Sequence, residues 1–278
     1  MEYQIINGEV LSQEDAKIPT NDLGMLRGYA IFDYFRVLEG KPVFCDDHLS
    51  RLFHSLDVMD LELTYSMEEL KEMIAELIAK NEASEAGFRI LVTGGFAEDG
   101  YTPKSPNLFM MMHALPRYDP TVSEKGSKLL TSQFQRVMPS VKTTIYVQSI
   151  HFAKKMKKEG AIEVLYHWDG NITECSRSNI FFVDKDDTII TPKHGVLKGI
   201  TRKHTLEIAK GKYKVEMRPV HMDEIPSMKE IFITSTTKAV MPIVQIDDMV
   251  IGDGKPGPVS LDLAKRFQKV LKNYLINA

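Results

Sequence analysis

Asn171-Ile172-Thr173-Glu174-Cys175-Ser176-Arg177-Ser178-Asn179-Ile180-Phe181-Phe182 sets one carboxylate between two apolar runs and just before a polar knot. The preceding Trp168-Asp169-Gly170-Asn171 is a hairpin turn signal, so Glu174 falls at the end of a short strand and Ile180 to Val183 begins the next. Taken alone this is a surface loop with a solvated glutamate, because ionised side chains are rarely buried without a partner. The segments on either side change that reading.

Downstream, Gly199-Ile200-Thr201 opens a helix running to about Lys210, with Gly211 at its C-terminal end. The free N–H groups at such a start make an anion site. An apolar strand, Glu230 to Thr234, enters the hydroxyl-rich Thr234-Ser235-Thr236-Thr237. A hairpin follows at Asp247-Asp248, and an amphipathic helix spans roughly Ser260 to Leu275. Upstream lie a strand (Lys128 to Phe134), a loop with Lys142, and a helix from about Val147 to Glu159 ending at Gly160.

The N-terminal half begins with a hairpin, Tyr3 to Ile6 and Glu9 to Leu11 around Asn7-Gly8. A glycine-punctuated loop, Asp22 to Tyr29, leads into a strand from Ile31 to Leu38. A helix starts at Asp46 or Asp47, with Leu49, Leu52, Phe53 and Leu56 on one face and Arg51 off that stripe. Ser66-Met67-Glu68-Glu69 has capping-box spacing and starts a second helix. Phe88 to Thr93 and Leu108 to His113 read as strands joined by a long Gly- and Pro-rich connection suited to a lid.

Strands dominate both halves and do not alternate regularly with helices, which makes the class α+β. The Pro-bounded polar stretch Leu115-Pro116-Arg117-Tyr118-Asp119-Pro120 suits a linker. The expected organisation is a small N-terminal domain over 1–116, a linker over 117–126 and a larger domain over 127–278. A length of 278 residues allows two domains or one large one.

With 43% hydrophobic and 26% charged residues and a net charge of -3, the composition argues against nucleic-acid, membrane-surface and disordered classes, leaving small molecules or a second copy as partners. Two cysteines, Cys45 and Cys175, point to reduced thiols in a cytoplasmic setting, and neither has metal-site spacing. The N-terminus lacks a basic-then-apolar leader, and no run of about 18 apolar residues occurs. The expectation is a soluble, unprocessed protein.

Arg51, Lys142, Glu174, Gly199-Ile200-Thr201 and Thr234 to Thr237 are each ordinary when taken singly: solvated cations, a loop acid, a helix start and a turn. Together they outline a phosphate cup, with N–H groups near Ile200 and Thr201, hydroxyls of Ser235 and Thr236, and a bidentate contact from Arg51.

Thr173-Glu174 with Ser178-Asn179-Ile180-Phe181, Leu197-Lys198-Gly199-Ile200-Thr201-Arg202 and Thr234-Ser235-Thr236-Thr237, in that order, resemble the signatures of the fold-type IV pyridoxal-phosphate enzymes. That family holds branched-chain and D-amino-acid aminotransferases and aminodeoxychorismate lyase, and the likeness runs over nearly the whole chain. It implies a two-domain fold-type IV architecture binding pyridoxal 5'-phosphate, with Lys142 as the Schiff-base lysine, Glu174 as partner of the pyridine nitrogen and Tyr146 near the cofactor ring oxygen. It further implies a homodimer acting on an amino acid and a 2-oxo acid in a ping-pong reaction. The chemistry needs those types: a displaced amine becomes the proton-moving base, and a carboxylate beside the ring nitrogen keeps the electron sink charged. Lys154, Lys155, Lys157 and Lys158 read instead as the solvated side of a helix.

The N-terminal half departs from the family's familiar form. Asp22-Leu23-Gly24 and Gly28-Tyr29-Ala30-Ile31-Phe32-Asp33 stand where many members have Asp-Arg-Gly and Gly-Asp-Gly. The Arg and His that hold the substrate carboxylate in familiar D-amino-acid enzymes are absent from Gly95 to Gly100. Arg27 and Arg89 are the candidates to replace them, and Arg89 stands in an otherwise apolar strand, where an unpaired charge is costly. Phe32 and Arg36 resemble the branched-chain type, so the hand of the substrate stays open. The alternatives are the lyase, or a cofactor-free binding protein on the same fold.

Overall fold

The computed structural model describes residues 1–117 and 124–277. The chain divides into two compact units, one made of Met1–Pro116, Val141–Ile145 and Asn273–Ala278, the other of Arg117–Ser140 and Tyr146–Lys272. The expected boundary at 116 thus takes no account of two returns to the first unit, one of which carries Lys142. Residues 118–123 of the expected linker lie outside the described residues.

The first unit is built on an antiparallel sheet of β1 (Tyr3–Ile6), β2 (Glu9–Ser12), β3 (Ala30–Leu38), β4 (Lys41–Pro42), β5 (Glu85–Phe96) and β6 (Ser105–His113), in the order β2-β1-β6-β5-β3-β4. Between them come α1 (Leu23–Arg27), α2 (Cys45–Val58) and α3 (Met67–Lys80). Phe35, Val37, Phe88, Ile90, Val92 and Met110 pack with Leu49, Leu52 and Leu56 of α2 and Leu70, Ile74 and Leu77 of α3. Burying these side chains is the main source of this unit's stability. Ser66 caps α3 through the expected capping box with Glu69.

The returning segment 141–145 is held to β3 by backbone bonds, Phe32 N–H to Lys142 O (2.9 Å) and Thr144 N–H to Ala30 O (3.1 Å). Val141 and Thr143 are buried on either side of Lys142, and Val141 belongs to the core cluster. Lys142 between them is only half-buried.

The second unit holds β7 (Ser127–Gln133), β8 (Ala161–Trp168), β9 (Asn171–Cys175), β10 (Asn179–Val183), β11 (Ile189–Thr191), β12 (Val215–Met217), β13 (Glu230–Ser235), β14 (Ala239–Ile246) and β15 (Met249–Val250). Their order is β12-β11-β10-β13-β14-β7-β8-β9, with β15 on β14. Strand β7 runs parallel to both β8 and β14, so the sheet is mixed. Helices α4 (Val147–His151), α5 (Ala153–Glu159) and α6 (Ile200–Lys210) lie in this unit. Helix α7 spans Pro258–Asn277, its N-terminal amides at Val259 and Ser260 bonded to the buried Glu230 carboxylate.

Three expectations differ from the structure. The loop at Asp22 to Tyr29 contains α1, capped by the Asp22 side chain on Gly24 N–H (2.6 Å) and closed by Gly28 at φ 68°. The lid-like connection is shorter than expected, because β5 continues through Phe96 and β6 starts at Ser105. The helix from Val147 to Glu159 is two helices that meet at Phe152. Gly211 closes α6 at the expected place, in a right-handed conformation that does not call on glycine's freedom.

Candidate active site

In the first unit, the Lys142 Nζ lies 4.6 Å from the centroid of the Phe32 ring, and the Arg89 guanidinium carbon lies 5.0 Å from the same centroid. Arg89 pairs in register with Tyr34 across β3 and β5, and its buried Nε has no hydrogen-bond partner. Among the described residues no carboxylate pairs with Arg89, so the structural salt bridge that would explain it blandly is not there. Arg36 is half-buried, and burial lowers its pKa below that of an ordinary guanidinium. Arg27 is exposed in α1, its Nε 3.4 Å from Gly100 O.

Arg51, read as a phosphate contact, bonds to the Asp33 carboxylate through Nε and Nη2, each at 2.8 Å. Asp33 is 1% exposed and also receives the Tyr34 N–H (2.7 Å), while its Oδ1 lies 2.6 Å from His48 Nδ1. Burial works against the Asp33 carboxylate, yet the Arg51 and His48 charges outweigh it and hold its pKa well below the usual range. Burial lowers the His48 pKa, and the Arg51 and Lys142 charges add to that.

In the second unit Glu174 is 4% exposed, which overturns the solvated-loop reading. Its Oε1 meets Arg136 Nη1 at 2.9 Å, and its Oε2 accepts from Leu197 N–H (3.0 Å) and Asn179 Nδ2 (3.4 Å). Asn179 Nδ2 also donates to Leu197 O at 2.8 Å. Asn179 stands opposite Thr234 across β10 and β13, and a Cβ at Gly199 would run into its Oδ1. The buried Asn179 side-chain amide thus ties Glu174 to the residues leading into α6, while its backbone lies in register with the end of β13. Gly199 precedes α6 without capping it by a side chain, Thr201 is buried in the first turn, and Thr234 Oγ1 is buried with no partner. Ser235 and Thr236 follow, half-buried. Burial pushes the Tyr146 phenol above its ordinary pKa, and the Glu174 charge adds to that.

Sequence reasoning missed Arg136, Asn179, Asp33, His48, Glu163 and Lys238. Asn179 sits inside the quoted motif, and an amide flanked by strand residues was a usable signal. The ion pairs of Arg136 and of Lys238 span 38 and 75 residues and leave no local trace. Lys154, Lys155, Lys157 and Lys158 are all exposed. Among the described residues there is no group of three or more His, Cys, Asp or Glu that could hold a metal, and no helix is long and apolar enough to cross a membrane.

A family model described as amino-transferase class IV matches residues 30–246. Over 280 residues the chain is 30% identical to a D-alanine aminotransferase of Staphylococcus epidermidis, covering 98% of each chain. Over 278 residues it is 27% identical to a putative branched-chain-amino-acid aminotransferase of Methanocaldococcus jannaschii, covering 95% of each. A branched-chain amino acid aminotransferase of T.th., solved with pyridoxamine 5'-phosphate, is similar with a TM-score of 0.90 at 27% identity. That match covers 98% of this chain and 94% of the other.

Proposed function

The chain belongs to the class IV aminotransferases, which use pyridoxal 5'-phosphate, and on that premise we propose that Lys142 moves the protons while Arg89 grips the substrate α-carboxylate. The residues present fit the cofactor. Glu174 is a buried acceptor suited to a protonated ring nitrogen. The α6 N-terminus at Ile200 and Thr201, the unpartnered Thr234 hydroxyl, and Ser235 and Thr236 supply donors suited to a phosphate. Arg51 adds a cation already oriented by Asp33, and Tyr146 supplies a phenol. When bound, the cofactor supplies the carbon that carries the amino group and a ring that accepts an electron pair.

The Lys142 amine takes the proton from the substrate α-carbon. The Phe32 ring is the shared apolar neighbour of the Lys142 amine and the Arg89 guanidinium, 4.6 and 5.0 Å from its centroid. The observation that carries the Arg89 assignment is this shared ring: no more than the sum of the two centroid distances separates the base from the guanidinium. A carboxylate one bond from the reacting carbon needs a bidentate donor at that range. Arg36 and Arg27 are the further cations of the substrate side. We also propose a homodimer. It is supported by the exposed apolar side chains Met25, Leu26, Phe96 and Tyr101, and light scattering of the purified protein tests it.

Substrates are α-amino acids with small, branched or acidic side chains and the matching 2-oxo acids. Paired assays of L-leucine, D-alanine and D-glutamate against 2-oxoglutarate and pyruvate read the hand directly. Turnover of L-leucine alone assigns the branched-chain type, and turnover of either D-substrate assigns the D-type. Arg89→Leu is expected to lower kcat/KM for the amino acid about 10- to 100-fold, the weight of a lost charge-assisted contact. An unchanged KM for both amino acid and 2-oxo acid removes Arg89 from the role.

A further inference from the structure

Glu163 and Lys238 form an ion pair at 2.7 Å with side chains 0% and 1% exposed, and neither is among the residues proposed above to bind cofactor or substrate. Each end leads to a different part of the cofactor machinery. Glu163 Oε1 also accepts from Ser178 Oγ at 2.6 Å. Its Oε2 accepts from Arg177 N–H at 2.7 Å and Ser176 Oγ at 3.3 Å. Those three residues form the turn between Glu174 on β9 and Asn179 on β10. Lys238 closes the other turn, where its N–H bonds to Ser235 Oγ at 3.3 Å. Ala239 follows at φ 53°, a left-handed conformation that alanine adopts only when its surroundings impose it.

We propose that Glu163 and Lys238 are positioning residues: a buried charged clasp that fixes the Glu174 turn relative to the Ser235–Thr237 turn and so sets the spacing on which cofactor binding depends. A buried ion pair is a poor device for stability alone, since apolar residues of similar size do as well or better. Its use here is directional, because one carboxylate orders an entire turn while its counter-ion orders the other. Burial raises the Glu163 pKa, but the Lys238 and Arg177 charges and the Ser178 hydroxyl outweigh it and keep the carboxylate ionised below its ordinary range.

The proposal rests on the reading of Glu174, Ser235 and Thr236 as cofactor ligands, so Ser235→Ala serves as the reference. Pyridoxal 5'-phosphate is titrated by absorbance into cofactor-free protein, and the same protein is melted without cofactor. Lys238→Met is expected to raise the cofactor dissociation constant about tenfold, the weight of one charge-assisted hydrogen bond, and to lower the melting temperature. The double variant Glu163→Gln with Lys238→Met removes the buried charge. It is expected to recover the melting temperature while its dissociation constant stays raised about tenfold. Recovery of affinity together with stability overturns the proposal, because the pair then only stabilises the fold. Ser178→Ala removes one donor while leaving the carboxylate its counter-ion, and is expected to weaken cofactor binding about threefold with a smaller fall in melting temperature than Lys238→Met. An unchanged dissociation constant in that variant counts equally against the clasp, including where the double variant does not fold. If Ser235→Ala also leaves affinity unchanged, the ligand assignment itself fails. If Ser235→Ala weakens binding and the clasp variants do not, only the clasp fails.

Discussion

Replacing Arg136 by methionine strands the Glu174 carboxylate, and the size of the effect follows from geometry. The two charges are 2.9 Å apart, with side chains 10% and 5% exposed. At an effective dielectric of about 20 their attraction is about 6 kcal/mol gross. The thioether side chain carries no charge to desolvate, and Leu197 N–H and Asn179 Nδ2 would still donate to the carboxylate, which trims the loss. Breaking one partner of a buried pair costs about 3–5 kcal/mol net, and that is the expected destabilisation of the second unit. Trp168, the chain's one tryptophan, ends β8 opposite Asn171 of the Glu174 hairpin and reports that unit by fluorescence. With a urea slope of about 2 kcal/mol/M, the unfolding midpoint of cofactor-free protein should fall by roughly 1.5–2.5 M. The double variant with Glu174→Gln should regain most of that shift while remaining impaired in transamination. A midpoint drop below about 0.5 M in Arg136→Met is what an exposed pair would give, and it would refute both the burial and the reasoning built on it.

Lys142→Ala should fold, because Val141 and Thr143 anchor the segment, while transamination falls on the order of 10²- to 10⁴-fold with loss of the proton-moving base. Borohydride treatment of the wild-type holoenzyme should fix the cofactor to Lys142; peptide mapping to any other lysine sinks the assignment. His48 predicts an acid-sensitive first unit. Its pKa is lowered by burial and by the Arg51 and Lys142 charges, so the stability it contributes is fully present above the unfolded value of about 6.5 and is lost as pH falls below it. The calorimetric melting temperature of cofactor-free wild type should therefore exceed that of His48→Asn by less at pH 5 than at pH 7. A gap that stays constant or widens contradicts the sign.

The strands and helices were legible wherever local periodicity and turn chemistry agreed. The capping box at Ser66 and Glu69, the Asn7-Gly8 and Asp169-Gly170 turns and the Leu49-Leu52-Leu56 stripe all appear in the structure as expected. The short helix at Leu23–Arg27 was not legible, because two glycines in seven residues look like a loop. What holds it is a long-range arrangement: Asp22 is fully buried and receives Thr93 Oγ1 and Asn107 Nδ2 from β5 and β6. The return of 141–145 to β3 was equally hidden, since its partners at Ala30 and Phe32 are more than 100 residues away in sequence. Hydroxyls and glycines of the candidate site were readable as local motifs. The side chains that orient them were not, because each works through a partner on a distant strand.

Asp33 with Arg51, Glu174 with Arg136, and Glu163 with Lys238 are all buried carboxylates matched by cations, and all touch segments proposed to hold the cofactor. A chain selected for stability alone would gain more from apolar contacts at these positions, since dehydrating a charge cancels most of the attraction it finds. The buried acids outside this group, Asp22 and Glu230, take a different solution. They receive backbone N–H groups and neutral side-chain donors, and they serve as caps for α1 and α7. The contrast separates two uses of a buried carboxylate. Capping needs only an acceptor, which hydrogen bonds alone can satisfy. Holding a charged ligand calls for a fixed field that does not rearrange when the ligand arrives, and paired charges locked from several directions provide one. The distribution of counter-ions is therefore itself an argument about function, since each pair adjoins residues proposed to hold the cofactor: Arg51 in the first unit, Glu174 and the Ser235 turn in the second.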